Sequence, residues 1–257
     1  MLKTVAMKKN ILIIALLMMA GLCQAQDNEI SFPTDRPGNV WGTAVLPHHK
    51  ISWENGFSYE HSDGARTITT PSTIIRYGLF KNVELRVGTD FQLSKGNPSE
   101  NMAFGVAPLN IGTKIQCFEG RGAIPSVGVL VQLQSHYIGS KDLLPSHVAP
   151  SMYLLFENGI NDWFTICYNA GLEMDGETPT PTTFLGLALW FSISDQWNAF
   201  VESDNYLHPE GNQFKSELGF TYSPIPRLQL DIEADLDFQK LHGEFFRLGC
   251  GIAWMIN

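Results

Sequence analysis

Apolar and polar residues alternate along Val83–Leu93, which reads VELRVGTDFQL. The odd positions carry Val, Leu, Val, Thr, Phe and Leu, whereas the even positions carry Glu84, Arg86, Gly88, Asp90 and Gln92. A period of two predicts a β-strand with one apolar and one polar face. The segment is also as long as the roughly 9–11 residues with which a tilted strand crosses a bilayer. We therefore predict a strand of a transmembrane β-barrel, with its apolar face toward lipid and its polar face toward the lumen.

The same alternation recurs along the chain and predicts an all-β, antiparallel transmembrane barrel of about twelve strands over residues 50–257. The predicted strands are Lys50–Glu60, Ser72–Leu79, Val83–Leu93, Phe104–Phe118, Ile124–His136, Val148–Glu157, Trp163–Met174, Thr183–Ser194, Trp197–Asp204, Gln213–Tyr222, Leu228–Leu236 and Phe245–Trp254.

The connections between these strands alternate in length. Short turns follow the even strands, and longer connections such as His61–Pro71, Ser94–Ala103 and Tyr137–His147 follow the odd ones. Outer-membrane barrels have short periplasmic turns and longer extracellular loops. The pattern thus predicts that both ends of the barrel segment lie in the periplasm.

A soluble barrel or sandwich would show the same alternation with its apolar face turned inward. Two observations favour the membrane. Aromatic residues concentrate at both ends of the predicted strands, as in the aromatic belts of membrane proteins. Glycines such as Gly88, Gly112 and Gly128 fall on the polar face, where a crowded lumen favours small residues and a solvated surface does not.

The first 25 residues form a predicted signal peptide. Lys8 and Lys9 precede the apolar run Ile11–Ala20, and cleavage is expected after Ala25, with translation starting at Met1 or Met7. Residues 26–49 contain three prolines, which disfavours a central strand. We predict a periplasmic lead-in segment there, which could also insert into the mouth of the barrel.

Composition narrows the class further. Mean hydropathy near zero, at −0.04, excludes a helical membrane bundle. The predicted mature chain carries 14 basic and 26 acidic residues, so nucleic acid is not an expected partner. Cys117 and Cys250 fall on the apolar face and Cys167 on the polar face, without metal-like spacing. We expect outer-membrane lipid and a small-molecule solute as partners, no cofactor, and leave the oligomeric state open.

Charged residues on the polar face are the candidate pore-lining or solute-binding groups. In a narrow twelve-stranded lumen they either pair into a salt-bridged plug or form a constriction that favours cations or neutral solutes, and both roles can coexist. These candidates are Glu54, Arg76, Glu84, Arg86, Asp90, Lys114, Glu202, Glu217, Asp231, Glu233 and Arg247.

Two other classes of function remain open. An outer-membrane hydrolase acting on lipid would need a serine and a histidine at the rim, and His61–Ser62, Ser135–His136 and Ser146–His147 are adjacent pairs in or near loops. A structural or adhesive barrel would act through loops such as Asp175–Thr182. No residue is assigned a catalytic or metal-binding role.

Several short motifs resemble the "MetA-pathway of phenol degradation" family of outer-membrane transporters, which is common in Bacteroidetes and Proteobacteria. These are Thr34–Pro37, Glu54–Tyr59, Arg76–Leu79, Val83–Arg86 and Gln229–Asp231. The resemblance implies a passive outer-membrane channel or transporter for small, often hydrophobic or aromatic compounds, without catalytic residues. The chain departs from bacterial barrels in ending Trp254-Met255-Ile256-Asn257, without a terminal aromatic residue.

Overall fold

The computed structural model describes residues 33–95, 103–237 and 245–256. This part of the chain is almost entirely β-structure, with a single turn of 3-10 helix at Lys141–Leu143. The strands are β1 (Ile51–Ser62), β2 (Ala65–Phe80), β3 (Val83–Lys95), β4 (Ala103–Val106), β5 (Asn110–Phe118), β6 (Ser126–Gln134), β7 (Ala149–Asn161), β8 (Phe164–Glu173), β9 (Thr182–Ser192), β10 (Trp197–Leu207), β11 (Gln213–Ile225), β12 (Leu228–Asp237) and β13 (Phe245–Ile256).

The sheet closes on itself. Each strand is antiparallel to its neighbours, and β1 pairs with both β2 and β13, with Trp53 opposite Trp254. Strand β3 pairs with β2 along one edge and with both β4 and β5 along the other. Because β4 and β5 pair with successive parts of the same edge of β3, they count as one strand position, and the barrel is twelve-stranded. The predicted closed antiparallel barrel is confirmed.

The predicted strand Phe104–Phe118 is interrupted between β4 and β5. Pro108 lies in the gap, and proline has no N–H with which to continue a ladder of hydrogen bonds. The backbone there bonds irregularly, for example from the N–H of Ala107 to the carbonyl of Asp90 at 2.8 Å.

The connection predicted at His61–Pro71 is wrong. Strand β1 continues to Ser62, and β2 begins at Ala65 after a two-residue turn at Asp63 and Gly64. Both turn residues have positive φ, as the tight hairpin turns preferred by Asp-Gly require. The prediction was wrong because Pro71 was taken to end a strand. Instead, Pro71 lies inside β2, where the registers of the β1–β2 and β2–β3 pairs both shift. Other strand ends differ by only a few residues.

The apolar side chains lie outside and the charged ones inside. On β12, Ile232 is 58% exposed, whereas its neighbours Asp231 and Glu233 are only 3% and 5% exposed. A protein in water shows the opposite preference, since its large apolar side chains concentrate in the interior. An exterior of this kind is suited to hydrocarbon. Among the described residues, no helix has the length and apolar character needed to cross a bilayer.

Aromatic rings concentrate at the short-turn end. Trp197 and Tyr222 stack with ring centroids 4.6 Å apart, and Trp163, Phe164 and Phe191 form a second group. Such rings favour the boundary between acyl chains and headgroups.

Residues 33–46, which we name the plug segment, lie inside the barrel at its short-turn half. Val40 and Leu46 are buried, Val40 in an apolar cluster with Leu155 and Phe184 and Leu46 in one with Ala253 and Met255. The described part of the predicted lead-in therefore inserts into the barrel mouth. Residues 1–32, including the predicted signal peptide, lie outside the described residues.

A charged side chain placed on the outer face should destabilise the barrel more, the deeper it lies in the bilayer. We expect Ile232→Arg, near the middle of β12, to lower the free energy of unfolding by about 2–4 kcal/mol, because an arginine at the bilayer midplane is poorly solvated. Ile193→Arg, just beyond the end of β9, should cost no more than about 1 kcal/mol. Urea unfolding in lipid vesicles measures both, and equal costs would contradict the inferred lipid-facing surface.

Candidate functional site

The plug segment is held by polar side chains that project inward from the wall. An irregular backbone leaves N–H groups without ladder partners, and these must find acceptors when they are buried. Inward carboxylate and amide oxygens from strands all around the barrel meet that need. The backbone N–H groups of Asp35, Asn39, Trp41, Thr43 and Leu46 donate to Glu54 (3.2 Å), Glu202 (2.6 Å), Asn169 (2.8 Å), Glu157 (2.9 Å) and Glu84 (2.9 Å), respectively.

A basic cluster from β2, β3 and β5 surrounds the Asp35 carboxylate. Lys114 Nζ donates to Asp35 Oδ1 at 2.8 Å, Arg76 Nη2 lies 3.6 Å from the same oxygen, and Arg86 pairs with Oδ2. The three cations are buried, at 0 to 3% exposure. Asp35 is thus the charged anchor that ties the plug segment to this side of the wall.

Arg76 also joins two wall carboxylates. Its Nε and Nη2 donate to Glu84 at 2.8 Å in a bidentate arrangement, and its Nη1 donates to Glu54 at 2.7 Å. Ion pairs of this kind offset the high cost of burying charge. If one partner were removed, the other would stay buried without compensation.

The opposite wall, formed by β10, β11 and β12, is acidic. Arg36 of the plug segment donates to both oxygens of Asp231, at 2.9 and 3.3 Å. Burial alone would lower the pKa of Arg36, but the carboxylates of Asp231 and Glu233 outweigh it and raise that pKa. Arg247 on β13 pairs with Glu233 and with Asp235, the latter at 2.6 Å.

The structure places the predicted site residues on the inward face. Nine of the eleven are buried, and Asp90 and Arg247 are half-buried. On one side of the lumen lie Glu54, Arg76, Glu84, Arg86 and Lys114. On the far side lie Glu202, Glu217, Asp231, Glu233 and Arg247. Asp90 belongs to neither group and lines the outer part of the lumen.

Three plug residues that make these contacts were not among the predicted site residues. Asp35, Arg36 and Asn39 were in a segment classed as a lead-in, although Asp35 and Arg36 belong to the Thr34–Pro37 motif. The sequence did offer a signal for Asp35 and Arg36. They form a charged pair in a proline-rich stretch, and the predicted lumen is also charged. For Asn39 the sequence offers none.

The plug segment lies between two cavities of the lumen. The outer cavity, toward the long loops, has a volume of about 680 Å³, and the inner one, toward the short turns, about 280 Å³. Asp35, Arg36 and Trp41 border both cavities. A solute crossing the barrel must therefore pass these side chains.

Two of the three serine and histidine pairs make contacts within loops, whereas His61 and Ser62 are the last two residues of β1. Ser135 Oγ accepts the backbone N–H groups of Tyr137 and Ile138, and Ser146 Oγ donates to Glu177 at 2.8 Å. His147 Nδ1 lies 3.3 Å from the carbonyl of Gly176. These contacts order two neighbouring loops.

Two solved outer-membrane barrels illustrate the likeness of the fold. The COG4313 outer membrane channel from Pseudomonas putida F1 superposes with a TM-score of 0.61 at 11% identity, covering 87% of this chain and 100% of that one. The KdgM porin, solved in complex with disordered oligogalacturonate, gives a TM-score of 0.55 at 10% identity, covering 79% and 99%. No curated protein matches the chain by sequence.

The closed barrel with its apolar exterior places the protein in the outer membrane. A family profile matches residues 34–240, from the plug segment through all but the last strand of the barrel. Since this match spans most of the sequence, the chain belongs to the family described as "Putative MetA-pathway of phenol degradation".

Proposed function

We propose that the protein is a passive outer-membrane channel for small solutes, with the plug segment as its constriction. The observation that carries this proposal is the pair of cavities on either side of Asp35, Arg36 and Trp41. Twelve strands enclose a lumen between the filled interior of eight-stranded barrels and the open channels of porins. Such a lumen suits one small molecule at a time.

The lining of the outer cavity supports solutes that form hydrogen bonds. Inward hydroxyl and amide side chains such as Thr69, Ser72, Gln92 and Gln132 line it together with the charged Arg86 and Asp90. A bare hydrocarbon would displace water from these half-buried groups without offering them a hydrogen-bond partner, which is unfavourable. An aromatic ring that carries a hydroxyl group would satisfy them, and the indole of Trp41 at the base of the cavity offers it an apolar surface.

Planar-bilayer recording of the refolded protein tests the channel. We expect discrete conductance steps, together with blockade by a hydroxylated aromatic solute such as phenol at lower concentration than by toluene. Absence of steps and of solute uptake into proteoliposomes would contradict the proposal. Equal blockade by the two solutes would contradict only the preference for hydrogen-bonding solutes.

Arg86 should influence ion selectivity, because it is a cation at the base of the outer cavity. Its replacement in Arg86→Gln removes one positive charge from the path, so the reversal potential in a salt gradient should shift toward greater cation selectivity. Arg66→Gln, at an exposed position near the β1–β2 turn, is the matched control and should leave the reversal potential unchanged. An unshifted potential for Arg86→Gln would remove Arg86 from the ion pathway.

A further inference from the structure

The carboxylates of the acidic wall are not fully compensated by the cations around them. Arg36 engages Asp231, and Arg247 engages Glu233 and Asp235. Three further carboxylates remain on β10 and β11, and each is at most 2% exposed. They belong to Glu202, Asp204 and Glu217.

One oxygen from each of these three carboxylates lies within 4.8 Å of the others. Glu202 Oε2, Asp204 Oδ1 and both oxygens of Glu217 have no hydrogen-bond donor among the residues that the structure describes. Buried acceptors are normally satisfied, so three convergent carboxylates in this condition indicate a missing positive partner.

Among the described residues of β11 and β13, neither Arg247 nor Lys215 fills that role. Arg247 Nη1 stays 3.8 Å from Glu217 Oε2 while it engages Asp235. Lys215 is the cross-strand neighbour of Asp204, but its ammonium lies over aromatic rings, 4.9 Å from the ring centre of Phe245.

We propose that Glu202, Asp204 and Glu217 form a binding site for a hard divalent cation of the Ca²⁺ type. Ca²⁺ takes carboxylate oxygens at about 2.4 Å, so its ligand oxygens lie no more than about 4.8 Å from one another, and the three oxygens of the cluster lie within that limit. Mg²⁺ usually keeps several of its waters and binds only one or two carboxylates, so three convergent carboxylates favour Ca²⁺. Water molecules from the lumen complete the coordination.

The same carboxylates hold the plug segment. Asn39 donates its backbone N–H to Glu202 Oε1 at 2.6 Å and its side-chain amide to Asp204 Oδ2 at 2.9 Å. The cation therefore fixes the two side chains to which Asn39 binds, and it stabilises the plug segment in the lumen. Its removal leaves three like charges in close contact beside Asn39.

Calcium binding to the full-length protein, refolded and freed of metal with EDTA, tests the site. Isothermal titration with CaCl₂ should show one Ca²⁺ per chain, and Ca²⁺ should raise the thermal unfolding temperature. Glu217→Gln and Asp204→Asn should each abolish that binding. Glu173→Gln is the control, because this inward carboxylate on β8 accepts the Tyr153 hydroxyl at 2.8 Å and lies outside the cluster.

Wild-type protein that binds no Ca²⁺, or binding that persists in both variants, would overturn the proposal. If both variants fail to fold, Tb³⁺ luminescence of the wild type decides the question. Tyr206, two residues after Asp204, should sensitise Tb³⁺ emission that Ca²⁺ displaces. Absence of sensitised emission would then overturn the site.

Discussion

A chain that lacks residues 33–46 should conduct several times more current per channel than the intact protein. The deletion removes the segment that separates the outer from the inner cavity, so the lumen becomes continuous. The inward charges that it leaves behind, such as Lys114 and Asp231, would then be hydrated by water in the widened pore. Single-channel recording in planar bilayers measures the change.

A synthetic peptide of residues 33–46, added to the short-turn side of the deletion variant, provides the control. It should block the enlarged conductance, whereas the same peptide with Asp35→Lys should not, because a lysine would face Arg76, Arg86 and Lys114. A deletion variant with unchanged conductance would show that the plug segment does not limit the current.

Arg76→Met should lower the free energy of unfolding by about 3–5 kcal/mol, which is the cost of breaking a buried ion pair by removing one partner. Methionine fills similar space but leaves Glu54 and Glu84 buried without their shared cation. Urea unfolding in detergent or lipid, followed by tryptophan fluorescence, measures the effect.

Lys81→Met is the matched substitution outside the lumen, since Lys81 is exposed in the turn between β2 and β3. It should change the stability by no more than about 0.5 kcal/mol. Arg76→Lys should recover part of the loss, because it restores the charge but not the bidentate contact with Glu84. A cost below about 1 kcal/mol for Arg76→Met would mean that water already compensates the two carboxylates.

The barrel was predictable because the alternation of apolar and polar residues is visible within the sequence of each strand. The alternation around Glu84 and Arg86 is a local signal, and a one-residue change of register would turn these charges toward lipid. The β1–β2 turn was also local, but the proline at position 71 was weighted above the Asp63-Gly64 pair. A proline at a bulge costs the sheet little, and for that reason it misled the prediction.

The interior of the site was not predictable in the same way. Arg36 meets Asp231 across 195 positions of sequence, and no periodicity relates the two. The plug segment also uses backbone N–H groups, which every residue except proline has and which sequence therefore hardly distinguishes. Only closure of the barrel determines that Glu202 accepts from Asn39 and Glu157 from Thr43.

The position of the plug segment also bears on biogenesis. Its anchors come from β1, which follows it directly, and from β12, which is among the last strands to be synthesised. Strands can pair with their neighbours in order, but the pocket that receives Arg36 is complete only when β13 has joined β1 and β12. The plug segment can therefore complete its contacts only after the last strands have closed the barrel.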